Sequence, residues 1–124
     1  MKLKLLVEEY AVCRLNNDSK IPTWIDTEKF YSITRTDDEL SVVCLNNNIP
    51  SDVKSEKEWR ILKILGPLDF SLVGILSKLS SLLADNKISI FAISTYDTDY
   101  ILVKEKDILN KKIDEIVNKK NPFA

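Results

Sequence analysis

The 124-residue sequence predicts an α+β fold of two β-α-β-β units around a shared core, and three observations carry that expectation. One stretch near 70–85 repeats apolar residues at helical spacing, while several short runs alternate apolar and polar residues as half-buried strands do. A pattern of strand, acidic turn and strand also recurs at an offset of 60: Tyr31, Ile33, Thr34, Asp37, Leu40, Val42 and Val43 line up with Phe91, Ile93, Ser94, Asp97, Tyr100, Leu102 and Val103. Neither unit is long enough to bury a good core alone, so the two are expected to share one.

In chain order, Leu3, Leu5 and Val7 alternate with polar neighbours and predict a strand, with a second over Tyr10 to Leu15. Residues 16–29 hold Asn16-Asn17-Asp18-Ser19 and Pro22, a loop with at most one helical turn near Trp24 and Ile25. Phe30 to Thr36 and Leu40 to Leu45 predict a hairpin around Asp37-Asp38-Glu39. Ser55 and Glu58 have capping-box spacing, which predicts a short helix before a strand from Trp59 to Leu65. Leu68, Leu72, Ile75, Leu76, Leu79, Leu82 and Leu83 then mark the long helix, with Asp69 at its N-cap. Ile88 to Ser94 and Tyr100 to Val103 predict strands, and Ile108, Leu109, Ile113, Ile116 and Val117 a last helix over 105–119. That order wants one further strand, and the N-terminal segment is its expected source.

Composition narrows the function. With 18 basic and 19 acidic side chains the net charge is −1, which argues against nucleic acid, whose binding needs a basic surface. Histidine is absent, which removes imidazole general-base catalysis and the commonest metal ligand and argues against an enzyme. Cys13 and Cys44 sit in apolar runs and read as small buried hydrophobes, and two cysteines without histidine make no zinc site. No cofactor is expected. No apolar run approaches the ~18 residues of a membrane span, and Glu8 and Glu9 cut the first apolar stretch too short for a signal peptide, so a cytoplasmic location is expected.

Both glycines of the chain, Gly66 and Gly74, fall in the strand-to-helix turn and the first helical turns. They mark either a close approach by a ligand or subunit, or tight packing of helix on sheet. A helix N-terminus offers free N–H groups to a carboxylate, here those of Phe70 to Leu72, and the Asp69 carboxylate would meet an ammonium group. Asp69 has an equally simple role as a cap. The turn Thr95-Tyr96-Asp97-Thr98-Asp99 carries too few oxygen ligands for a divalent metal and reads as a solvated turn.

Gly66 to Leu72, the run Ile88 to Thr95 and Thr98 to Val103 together resemble ACT domains, and Phe30 to Ser41 is similar to the first half of the aspartokinase-type tandem. The likeness extends to the small stand-alone relatives and the eukaryotic cytosolic arginine sensor. It implies a ferredoxin-like sandwich: two ACT-like βαββαβ modules with antiparallel sheets and helices on one face. They would span residues 1–65, with a shortened first helix, and 66–124. It also implies a homodimer and a non-catalytic regulatory role, with an amino acid held at the interface between modules and a regulated partner protein still to be identified. Carried onto this chain, the binding residues are Leu68, Asp69, Phe70, Ser71 and Leu72, with Ala92, Ile93, Ser94 and Thr95 beside them. The alternative is an interaction module with no ligand, its site filled by Phe70, Phe91 and Tyr96.

Overall fold

The computed structural model describes residues 2–65 and 75–109. Its elements are β1 (Lys2–Leu5), β2 (Tyr10–Leu15), β3 (Ser32–Arg35), β4 (Leu40–Leu45), β5 (Lys54–Leu65), α1 (Ile75–Asp85), β6 (Ile90–Ser94), β7 (Asp99–Lys104) and α2 (Glu105–Leu109). They fall into two compact units. One is Glu8–Trp59; the other joins the described residues up to Val7 with those from Arg60 on.

In the Glu8–Trp59 unit the strands lie in the order β5-β2-β4-β3, every pairing antiparallel. Period-two alternation turns Ala11, Cys13, Leu40, Val42 and Cys44 to one face, where they form a core cluster with Ile25. All of residues 8–59 are described and none is helical. The segment near Trp24 and Ile25, expected to hold a helical turn, is a hydrogen-bond turn instead. Trp24 and Ile25 from one loop, with Ile49 and Val53 from another, pack over the sheet where helices would otherwise sit. The Arg35 guanidinium donates to the Asn17 and Ser19 carbonyls, tying the first loop to the end of β3.

The Ser55–Glu58 spacing does not start a helix. These residues are the first half of β5, held by pairing with β2, and a long-range ladder overrides the local capping signal. Tyr10 faces Trp59 and Val12 faces Glu56, so Ala11 alone opposes Lys57 and Glu58 in a β-bulge. Glu58 takes φ 69°, a left-handed conformation that a side chain disfavours. The extra residue puts Glu56 and Trp59 on the same face although they are three apart, and so resets the alternation for the second half of β5.

In the other unit β5 lies between β1 and β7, with β6 beyond β7. β1 runs antiparallel to β5, Leu3 facing Ile64 and Leu5 facing Leu62. The N-terminal segment therefore supplies a fourth strand to this unit, as the sequence led one to expect. Counted from β2 in the Glu8–Trp59 unit and from β5 in the other, each unit places its first, second, third and fourth strands in the order 4-1-3-2, with β5 as the fourth strand in the former and β1 as the fourth here. Leu79 and Leu83 of α1 pack with Leu62, Ile64, Ile88, Ile101 and Val103, and Leu76 and Leu82 flank them at helical spacing. Ile88 N–H donates to the Leu83 carbonyl at 3.0 Å and Lys87 N–H to that of Ala84 at 2.9 Å, a Schellman close with Lys87 left-handed at φ 61°. The expected start of α1 before residue 75 and of the last helix beyond 109 lie outside the described residues.

Candidate functional site

The two hairpins close with one turn chemistry. The Thr36 hydroxyl accepts from the N–H groups of Asp38 and Glu39, both at 3.1 Å, and the Thr36 N–H donates to the Glu39 carbonyl at 2.9 Å. The Thr95 hydroxyl donates to the Thr98 carbonyl at 3.0 Å, and the Thr95 N–H donates to it at 2.8 Å. Arg35 faces Leu40 as Ser94 faces Asp99, so the structural repeat has an offset of 59 and the sequence alignment at 60 is one residue out. The run Val42-Val43-Cys44 is apolar at every position, which let a one-residue slip pass unnoticed.

Of the nine binding residues expected, Leu68, Asp69, Phe70, Ser71 and Leu72 lie outside the described residues. The other four are consecutive: Ala92, Ile93 and Ser94 on β6, and Thr95 at its exit. Among the described residues β6 pairs only with β7 and is the edge strand on that side of the sheet. Ala92 faces the buried Ile101, on the side of the strand that Ile90 and Val103 present to α1. Ala92, Ser94 and Thr95 are exposed and Ile93 is half-buried, so small uncharged side chains line this edge strand. Phe91 faces Leu102 on the opposite side, and Tyr96 stands free in solvent at the hairpin tip. Thr98 is buried, and its hydroxyl donates to the Ile64 carbonyl, fixing the turn against β5.

Elsewhere in this unit Arg60 donates to both Glu105 carboxylate oxygens at 3.3 Å and to the Leu6 carbonyl at 3.0 Å, joining β5, the start of α2 and the N-terminal segment. Lys63 lies 5.9 Å from the Tyr100 ring centroid. In the Glu8–Trp59 unit Tyr10 meets Phe30 edge-on at 6.0 Å. Burial, then the Glu8 and Asp26 carboxylates, push its phenol up to about 12. The neighbouring Cys44 thiol holds the Cys13 thiol below its ordinary value, while Cys13 and then burial push the Cys44 thiol up. Sequence reasoning missed this pairing, because cross-strand register alone brings the two together. Among the described residues no group of three or more Cys, Asp or Glu side chains could hold a metal ion.

A four-stranded antiparallel order of 4-1-3-2, with helices in one of the two units, defines a ferredoxin-like α+β fold of the ACT type. A family model for the ACT domain matches residues 54–110, and a model for an N-terminal domain matches 8–52. A protein from Agrobacterium tumefaciens is 45% identical, with a TM-score of 0.86, over 94% of this chain and 86% of its own. The aspartate kinase of Clostridium acetobutylicum shares the fold at 13% identity and a TM-score of 0.67, over 94% of this chain and 34% of its own. A chain from Porphyromonas gingivalis, described as a C-terminal regulatory domain of aspartate kinase, does so at 17% identity and a TM-score of 0.58, over 95% of each. Residues 54–110 of this chain belong to the ACT domain family. None of the described helices is long and apolar enough to cross a membrane.

Proposed function

We propose that this chain is a non-catalytic regulatory module that binds a small molecule, an amino acid being the class to test first. The ligand would be held by Leu68, Asp69, Phe70, Ser71 and Leu72 with Ala92, Ile93, Ser94 and Thr95. The carrying observation is that β6 is an edge strand among the described residues and exposes the small residues Ala92 and Ser94. The fold likeness to an aspartate kinase described as an allosteric enzyme supports the regulatory part of the reading. A self-filled site is less well supported, since Tyr96 is fully exposed and Phe91 points to the other face from Ala92. Two ACT-like modules, a homodimer, a regulated partner protein and a cytoplasmic setting complete the proposal.

The test is a thermal-shift screen of the purified protein against the twenty amino acids. Ligand at a hundred times its dissociation constant adds about 2.7 kcal/mol of stability, a shift of several degrees. A shift with one or two amino acids, lost in Asp69→Ala and in Ala92→Arg, is the expected result. Ala92 is exposed, so its substitution should leave the unliganded melting temperature in place. No shift with any amino acid would move the assignment to an interaction module without a ligand.

A further inference from the structure

Lys4 and Lys63 face each other directly across the β1–β5 ladder. Directly opposed residues hold their Cβ atoms about 4.5–5.5 Å apart, and like charges so placed weaken the pairing. β1 has only four residues, so the conflict falls on a strand with little other pairing to offset it. Folded proteins break such local rules chiefly at functional sites. Lys4 is exposed, while Lys63 is half-buried with its ammonium 5.9 Å from the Tyr100 ring centroid, so one of the two charges is held in place. Leu62, Ile64, Ile101 and Val103 pack toward α1, and alternation therefore puts Lys4, Lys63 and Tyr100 together on the other face of the sheet. The positions of that face on β1, β6, β7 and β5 from Arg60 on include no acidic residue, although the chain as a whole has a net charge of −1. Among the described residues neither ammonium pairs with a carboxylate, and Glu105 is engaged by Arg60.

We propose that Lys4 and Lys63 form a binding site for the phosphoryl group of a small soluble molecule. Such a group carries a charge of about −1.5 to −2 at neutral pH and presents three acceptor oxygens, so it balances both ammoniums and accepts hydrogen bonds from each. A single carboxylate would balance only one of them. Two lysines are too few for a nucleic acid or an anionic membrane, whose binding is built from many basic contacts. The bound anion turns a repulsive cross-strand pair into a bridge, so binding tightens β1 onto β5. This site is distinct from the one proposed around Ala92 and Ser94, which lie on the α1 side of β6.

The wild type, Lys4→Gln and Lys63→Gln are melted at neutral pH in sodium chloride and in sodium phosphate of equal ionic strength, which screens exposed charges alike. Phosphate also stabilises folded proteins generally by its exclusion from their surface, and the variants measure that background. The wild type should melt a few degrees higher in phosphate than in chloride, and each variant should lose most of that gain. In chloride Lys4→Gln should melt no lower than the wild type, because it removes the like-charge opposition. An equal gain in all three proteins would overturn the proposal, and so would a clear fall of Lys4→Gln in chloride. Lys4 is exposed, so its variant keeps the test decisive should Lys63→Gln fail to fold. Hydrogen exchange supplies the local readout: phosphate should slow the β1 amides of the wild type and leave those of Lys4→Gln unchanged.

Discussion

Glu58 is the place where a substitution toward glycine should stabilise this protein. It occupies the β5 bulge at φ 69°, where a side chain crowds the following carbonyl and costs about 1–2 kcal/mol. Glycine removes that crowding but gives the unfolded chain extra freedom worth about 0.4–1 kcal/mol. The balance favours Glu58→Gly by about 0.5–1 kcal/mol, and a chain of this size should melt about 2–5 °C higher. Glu56, two residues earlier, is the control: it faces Val12 in the regular ladder, and Glu56→Gly should lower stability by about 0.5–1 kcal/mol. Both are read by thermal and urea unfolding followed by circular dichroism. If Glu58→Gly destabilises as much as Glu56→Gly, the bulge stores no left-handed strain and the reasoning fails.

The other expectations use the same readouts. Lys87, left-handed at the end of α1, should behave like Glu58, so Lys87→Gly raises the melting temperature, and a fall would remove it from the helix close. Thr98→Val leaves the Ile64 carbonyl without its hydroxyl donor and should cost about 1–2 kcal/mol, whereas Thr95→Val at the exposed side of the turn should cost less. Truncation of residues 2–7 removes β1 and the Leu6 carbonyl that Arg60 holds, so amides of β5 from Arg60 on should exchange faster in hydrogen-exchange mass spectrometry, while those of β4 should not. Tyr10 contributes stability through a phenol that keeps its proton in the fold to about 12, against 10.0 when unfolded. That contribution is complete below pH 10.0 and is lost as pH rises toward 12, so the fall in stability over that window should be smaller in Tyr10→Phe than in the wild type. Absorbance titration should show the Tyr10 phenol ionising at about 12.

Much of the strand content was legible because half-buried strands alternate. The sequence reading of β2 and β4 has the observed bounds, and the N-terminal strand was expected where β1 lies. The first half of β5 was not legible. Lys54 to Glu58 is polar, and its strand state comes from β2, some forty residues earlier. The loop roof was equally hidden, since nothing local distinguishes an Ile25 that covers a core from one that merely sits in a loop. Ala92 to Thr95 could be read as a strand end, but only sheet topology shows that β6 is the edge strand among the described residues. The cysteine pair needs the β2–β4 register, which a continuous apolar run such as Val42-Val43-Cys44 does not specify.

The placement of β1 has a consequence for synthesis. The Glu8–Trp59 unit is continuous in sequence, so all its strands have emerged from the ribosome once Trp59 has. β1 is made first, yet its partner residues, Leu62 to Leu65, come about sixty positions later. During that interval Leu3 and Leu5 have no ladder, and the other unit closes its sheet only by recovering a segment made about sixty residues earlier. An N-terminal fusion holds the segment that closes this sheet, whereas a C-terminal fusion leaves the closure free.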